Sequence, residues 1–340
     1  MKVKARRAPQ RKNTLQLPSI CRALSISNQE SSGGQRFAVI SDGQFHTVIL
    51  RCALDGRAPA GQISAQWVQF WDDRIGVDDA NADLVAITTV LDFVPASVDD
   101  FARWCDSYLY AADSGPLSPV GLVSLTFRMR SGREADDAAA VVLGVRLPAI
   151  MRSLQQAGLP LVPLVRSDVV AHLASVYAPR SRDTADEWAD LVPDRTEETR
   201  HYVMHPDHSK TVSWVFSSRI LADQERSAIE AMGSPRLYRR RLAMAYRRTR
   251  EGERSVLQRQ IMAMSAVIPS GHEPHTGELM GENTDNEQPV AVRLAMRRAY
   301  DRQGELMALT SGVGVVLPEH AEIGEHPVLA DGLSRALEAS

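Results

Sequence analysis

Lysine is nearly missing from this chain. It occurs only at Lys2, Lys4, Lys12 and Lys210, so almost all the basic charge is arginine, and any lysine chemistry in the folded region falls to Lys210. Cysteine is scarce and odd in number: Cys21, Cys52 and Cys105, with no CxxC spacing. That argues against a disulfide framework or a cysteine zinc site and predicts reduced, buried thiols. No apolar run approaches the ~20 residues that a membrane-spanning helix needs, and no apolar stretch follows the basic start before Arg22, as a secretory signal requires. These absences predict a soluble chain.

An excess of charge is lacking as well. A formal net charge of -3 over 340 residues argues against a wholesale nucleic-acid binder. Sequence signatures of catalysis are missing: there is no GxxxxGK[ST], HExxH or GxSxG. Ser311-Gly312-Val313-Gly314-Val315 lacks the third glycine and the helix of a dinucleotide loop and falls in an expected strand. Gly271 and Gly277 flank a loop. The pairs Asp72-Asp73, Asp78-Asp79 and Asp136-Asp137 fall at helix ends or turns, where solvated charge is the ordinary reading.

What the chain has is a patterned core. Its 44% hydrophobic content is that of a globular protein, and its length suits about two domains of ~100–200 residues. Phe37 to Gly56 reads as a β-hairpin that reverses at Asp42-Gly43, with the β-branched arm Thr47-Val48-Ile49-Leu50-Arg51-Cys52. Ile63, Trp67, Phe70, Trp71 and Ile75 recur at helical spacing and predict an amphipathic helix over 62–76. A strand over 83–92, a helix started by Ser97 that buries Phe101, Trp104 and Tyr108, and a strand over 120–130 follow. The long helix 134–157, a short apolar run 159–165 and a helix capped by Ser167 complete the first half. A second hairpin, 200–218, restarts the pattern. The order then predicts helices at 221–231, 250–266 and 287–303, strands at 236–246 and 306–317, and a short helix at 327–338 in the tail.

The expected fold is α+β: two tandem ββαβαβ sandwich domains related by internal duplication, with mostly antiparallel sheets. Residues 1–35 read as a basic, disordered tail, 36–178 as the first domain and 179–198 as a linker. Residues 199–318 read as the second domain and 319–340 as a C-terminal tail.

Two groups of residues could carry function. His201, His205 and His208, with His272 and His275, could offer imidazoles to a metal, but the same spacing is what a hairpin turn produces. The prediction is therefore no metal, no cofactor and no catalytic residue. The arginines Arg236, Arg239, Arg240, Arg241, Arg247, Arg248, Arg250 and Arg254 are expected to form a basic surface for phosphate, an acidic partner or lipid headgroups. Strand alternation would put Leu242, Met244 and Tyr246 on one face and Arg239 and Arg241 on the other. Charge balance against neighbouring acidic residues is the bland alternative.

Several segments, HTVILRCALDG with QWVQFWDDRIG, GLVSLTFRM, LPAIMRSLQQAGLPLVPLVRSDVVAHLASVYAP, EWADLVPDRTEETRHYVMHPDHSKTVSWVFSSR and RLYRRRLAMAYRRTREGE, carry a resemblance that spans about 37–317. The chain resembles actinobacterial integral membrane proteins of conjugation or type IV-like secretion systems, encoded beside a PrgI-like protein and a TraC-type ATPase and distantly similar to the EccE component of type VII secretion. The resemblance implies a non-enzymatic docking component on the cytosolic side of the membrane, with the ATPase or membrane complex proteins as partners. It departs from the family in one respect: residues 1–35 hold none of the apolar helices usually found ahead of this region. Either the start is truncated, or this is a soluble relative that would sit in the cytoplasm, peripheral at the membrane, with its basic tail and arginines available to anionic lipid or nucleic acid. A small transferase-like α+β enzyme with an inter-domain cleft, or a nucleic-acid-contacting accessory protein, would be the competing classes.

Overall fold

The computed structural model describes residues 14–18, 20, 23–54, 60–74, 83–94, 118–128, 135–179, 196–206, 208–216, 239–251, 254–268, 296–298 and 301–314. The first hairpin forms between β3 (Arg36–Ser41) and β4 (Phe45–Ala53), with Ser41 opposite His46. Asp42 makes the reversal: its Oδ1 accepts from the backbone N–H of Gln44 at 2.8 Å and of Phe45 at 2.7 Å, and Gly43 takes a φ of 85°. In the second hairpin β9 (Val203–Met204) pairs with β10 (Lys210–Phe216) around a turn in which His208 adopts a φ of 64°.

These hairpins belong to one sheet. The remaining strands are β1 (Thr14–Leu15), β2 (Leu24–Glu30), β5 (Leu84–Val94), β6 (Ser118–Arg128), β7 (Leu161–Pro163), β8 (Glu197–Glu198), β11 (Arg240–Glu251), β12 (Arg254–Ile268) and β13 (Met296–Arg298). Their order is β1-β2-β3-β4-β6-β5-β11-β12-β10-β9-β8, with β7 added on β4 and β13 on β10. Every described pairing is antiparallel, and the two halves join at β5 and β11, where Leu91 faces Leu242. The fold is therefore α+β around a large, open antiparallel sheet.

Both faces of that sheet are covered. On one, Val48, Leu50, Phe93, Val123, Leu242, Met264 and Trp214 belong to a single apolar cluster that takes in Trp67 and Trp71 of helix α1 (Ala60–Arg74) and Leu143 and Leu147 of helix α2 (Ala135–Gln156). On the other, Ile49, Val90, Leu122, Ala243 and Val215 meet helix α3 (Arg166–Tyr177) and helix α4 (Gln303–Thr310). The aromatic stripe of α1 is core, with Trp67 and Trp71 edge to face at 5.8 Å. Gly121 on β6 admits it, because a Cβ there would lie 2.7 Å from the Trp67 ring.

Local rules are completed by distant partners. Pro148 inside α2 has no N–H, which frees the carbonyl of Gly144 one turn back. The Ser32 N–H, in the β2–β3 turn, occupies that carbonyl at 3.2 Å. The first N–H of α3 is capped by Asn28 Oδ1 of β2 at 2.9 Å, not by Ser167, which lies inside the helix. Gln303 at the start of α4 brackets Ser213 of β10, accepting from its N–H at 2.7 Å and donating to its carbonyl at 3.2 Å.

Several expectations are corrected. Leu24–Glu30, read as tail, is a strand in register with β3. Residues 254–268, expected to be mostly helix, form β12, because Met262 to Ile268 are buried on both faces and the alternation of a strand is thereby hidden. Met296–Arg298, expected within a helix, is a strand, and Leu306 to Thr310, expected in a strand, are helix α4. A fully buried run such as Leu306-Met307-Ala308-Leu309 has no polar face to reveal its period. Gly304, one residue past the helix expected at 287–303, lies in the first turn of α4, where a Cβ would come 2.6 Å from Glu198. The expected helices at 97–108, 221–231 and 327–338 lie outside the described residues. Among the described residues no helix is long and apolar enough to cross a membrane.

Candidate functional site

The alternation expected for β11 holds: Leu242, Met244 and Tyr246 share one face, with Ala243 on the other. The expected basic surface does not. Arg239, Arg240 and Arg241 are 4%, 0% and 1% exposed, Arg239 and Arg241 because α3 and α4 cover the face that sequence alone left open. Arg240 turns to the α1–α2 face, its guanidinium 5.4 Å from the Phe93 ring centroid, and burial lowers its pKa to about 9. Arg247 and Arg248 are half-exposed, and Arg248 Nε donates to the Leu84 carbonyl at 2.8 Å. Arg250 and Arg254 stand at the β11–β12 turn, where Arg250 pairs with Ser255 and Glu251 with Arg254. Arg236 lies outside the described residues.

What replaces the surface is a polar cluster sealed beneath α3. Asp92 sits on β5 opposite Arg241 of β11 and takes Arg239 as a two-pronged partner, Nη2 to Oδ2 at 2.8 Å and Nε to Oδ1 at 3.3 Å. The Arg239 fork also reaches α3, donating from Nη1 to the Ser175 carbonyl at 2.6 Å and from Nη2 to its Oγ at 3.1 Å. One guanidinium thus binds the centre of the sheet to the last turn of the helix above it. Burial disfavours the Asp92 carboxylate, but the charge and hydrogen bonds of Arg239, then Arg241 and His172, hold its pKa below the usual range.

His172, also buried on α3, lies with Nε2 2.8 Å from the carbonyl of Ser311, in the turn after α4. A carbonyl only accepts, so Nε2 carries a proton. Burial lowers the ring's pKa to about 4, helped by Arg239 and Arg241 and opposed by Asp92 and Ser311, so the imidazole is neutral at physiological pH. Of the histidines weighed as metal ligands, His205 is buried with Nδ1 3.0 Å from the Tyr177 carbonyl and Nε2 2.7 Å from Thr211 Oγ1. It ties the end of α3 to the second hairpin. His201 and His208 are exposed, while His272 and His275 lie outside the described residues. Among the described residues, no three His, Cys, Asp or Glu side chains come together as a metal site.

Gly312 and Gly314, set aside as a weak nucleotide motif, close this layer. Their φ values of 76° and 74° are left-handed, and a Cβ on Gly314 would lie 2.3 Å from Thr47 Cγ2. Ser124 Oγ donates to the Gly312 carbonyl from the sheet below.

Arg241 is the exception in a cluster whose other members are engaged. Its Nε, Nη1 and Nη2 are buried without a hydrogen-bond partner, and so is the Tyr177 hydroxyl. Burial and Arg239 lower the Arg241 pKa to about 10 against the pull of Asp92 and Tyr177, so the side chain stays charged. Burial raises the Tyr177 pKa, with Arg241 opposing and Glu198 reinforcing. Sequence reasoning missed Asp92, His172 and Tyr177. The one available signal was Asp92 itself, a carboxylate inside the apolar run LVAITTVLDFV, which demands a buried partner. No family model matches this chain, and no curated protein matches it.

Proposed function

We propose that the chain is a non-enzymatic docking component of a conjugation or type IV-like secretion apparatus, held at the cytosolic face of the cell membrane. The observation that best supports this reading is how the chemically capable side chains are used. Asp92, Arg239, His172 and His205 are all interior and engaged with neighbouring backbone or side chains, so they act as fasteners between layers. The family-like segments supply the rest: a TraC-type ATPase or membrane complex proteins as partners, with the basic run from Lys2 to Lys12 attracting anionic lipid.

A duplicated architecture goes with this reading. The strand order β3-β4-β6-β5 on one side of the join is mirrored as β9-β10-β12-β11 on the other. Leu50 of β4 pairs with Val123 and Pro163, and Trp214 of β10 pairs with Met264 and Arg298. Each short strand, β7 or β13, then leads into a helix on the same face, α3 or α4. The proposed correspondence sets Thr47-Val48 on Thr211-Val212 and Leu50 on Trp214. A profile comparison of the two halves that prefers another register would refute it.

The functional test is co-purification. The full chain, co-expressed with a conjugation ATPase and a PrgI-like membrane protein encoded beside it, is expected to retain one of them through moderate salt. Retention of neither would overturn the proposal. DNA binding that weakens steeply with salt would favour the nucleic-acid accessory class instead.

A further inference from the structure

We propose that Arg241 and Tyr177 form an enclosed site for a small oxyanion, of the class of inorganic phosphate, sulfate or a short carboxylate. The inference is independent of the docking function. A guanidinium offers five N–H donors and a fixed positive charge, and a buried one is normally paired. That of Arg241 is 1% exposed, and all three of its nitrogens lack a hydrogen-bond partner. Asp92 stands opposite it on β5, yet both carboxylate oxygens are engaged by Arg239. One carboxylate therefore serves two guanidiniums, and neutral His172 adds no counter-charge; the Glu198 carboxylate, whose charge also reaches Tyr177, is engaged by the Gly304 N–H at 2.8 Å.

The surroundings suit an anion with several acceptor oxygens. The Tyr177 hydroxyl is also buried and unpartnered, and it lies within electrostatic reach of Arg241 on the same face of the sheet. On the other flank Arg241 pairs with Ser265 of β12, whose Oγ receives the Thr310 hydroxyl at 2.8 Å. A planar guanidinium and a phenol together present N–H and O–H donors that match the lone pairs of phosphate, sulfate or carboxylate. The sign of the charge excludes a metal cation. Water would satisfy the donors but leave the charge in place.

The test is the thermal midpoint of the full chain, measured in oxyanion-free buffer and then with increasing inorganic phosphate, sulfate or acetate at an ionic strength fixed with chloride. At least one oxyanion is expected to raise the midpoint progressively with the logarithm of its concentration, because it binds the folded state alone. Arg241→Met should abolish that response while leaving the midpoint in oxyanion-free buffer unchanged or higher, since it removes an unpaired buried charge. Tyr177→Phe, which keeps the ring, should weaken binding by about tenfold, the effect of losing one hydrogen bond to a charged group. The proposal falls if no oxyanion exceeds the chloride control. It falls equally if Arg241→Met or, should that variant not fold, Tyr177→Phe responds as the parent does.

Discussion

Arg239→Met tests whether the buried ion pair holds the central sheet to α3. Arg239 and Asp92 side chains are 5% and 2% exposed, so the pair is sheltered from solvent. At roughly 4 Å between charge centres and an effective dielectric of about 20, their attraction is about 4 kcal/mol. Removing the guanidinium leaves Asp92 buried with both oxygens stripped of these donors and leaves the Ser175 carbonyl without its 2.6 Å bond. Breaking a buried pair from one side costs about 3–5 kcal/mol. Urea unfolding followed by the fluorescence of buried Trp67, Trp71 and Trp214 reads the loss. With a slope of about 3 kcal/mol per molar, the midpoint should fall by about 1 M or more. The double variant Arg239→Met with Asp92→Leu should recover much of that loss, because two apolar side chains leave no charge stranded. A single-variant loss below about 1 kcal/mol, or a double variant no better than the sum of the two singles, would refute the buried pair.

Acid should weaken the fold in two stages. His172 has a folded pKa of about 4 against an ordinary 6.5, so the folded state binds fewer protons between those values. Its contribution is fully present above about 6.5 and is lost as pH falls toward 4, by roughly 3 kcal/mol. His172→Gln should flatten urea midpoints measured across that window, and an unchanged slope would count against the buried neutral ring. Asp92, held below its ordinary 3.8, contributes stability that disappears only at still lower pH. Gly314→Ala should destabilise by more than about 2 kcal/mol, since it combines a left-handed backbone with a collision against Thr47; a thermal midpoint equal to the parent's would show that the turn after α4 is placed differently. Cys52 is fully buried, and burial raises its pKa to about 11. Iodoacetamide should therefore modify it only after denaturation, as peptide mass spectrometry of native and urea-treated protein would report.

Local elements whose pattern is self-contained are legible in the residues alone. Asp42-Gly43 specified a reversal, Ile63, Trp67 and Trp71 specified a buried helical stripe, and the alternation of Leu242, Met244 and Tyr246 specified a shared strand face. What alternation cannot say is what lies over each face. Arg239 and Arg241 were correctly assigned to the face opposite Leu242, but only the tertiary structure covers that face with α3 and α4. The partner that makes Arg239 tolerable there is 147 residues away, and neither local propensity nor spacing reaches across that distance. The same limit hid β12 and α4, whose fully buried residues have no wet side to mark their period. It also hid the Asn28 cap of α3 and the Ser32 N–H that occupies the carbonyl freed by Pro148. An arginine run reads as a surface in one dimension because buried charge is expensive. Folding overrides that expectation at Arg239 by bringing a counter-charge, Asp92, from elsewhere in the chain.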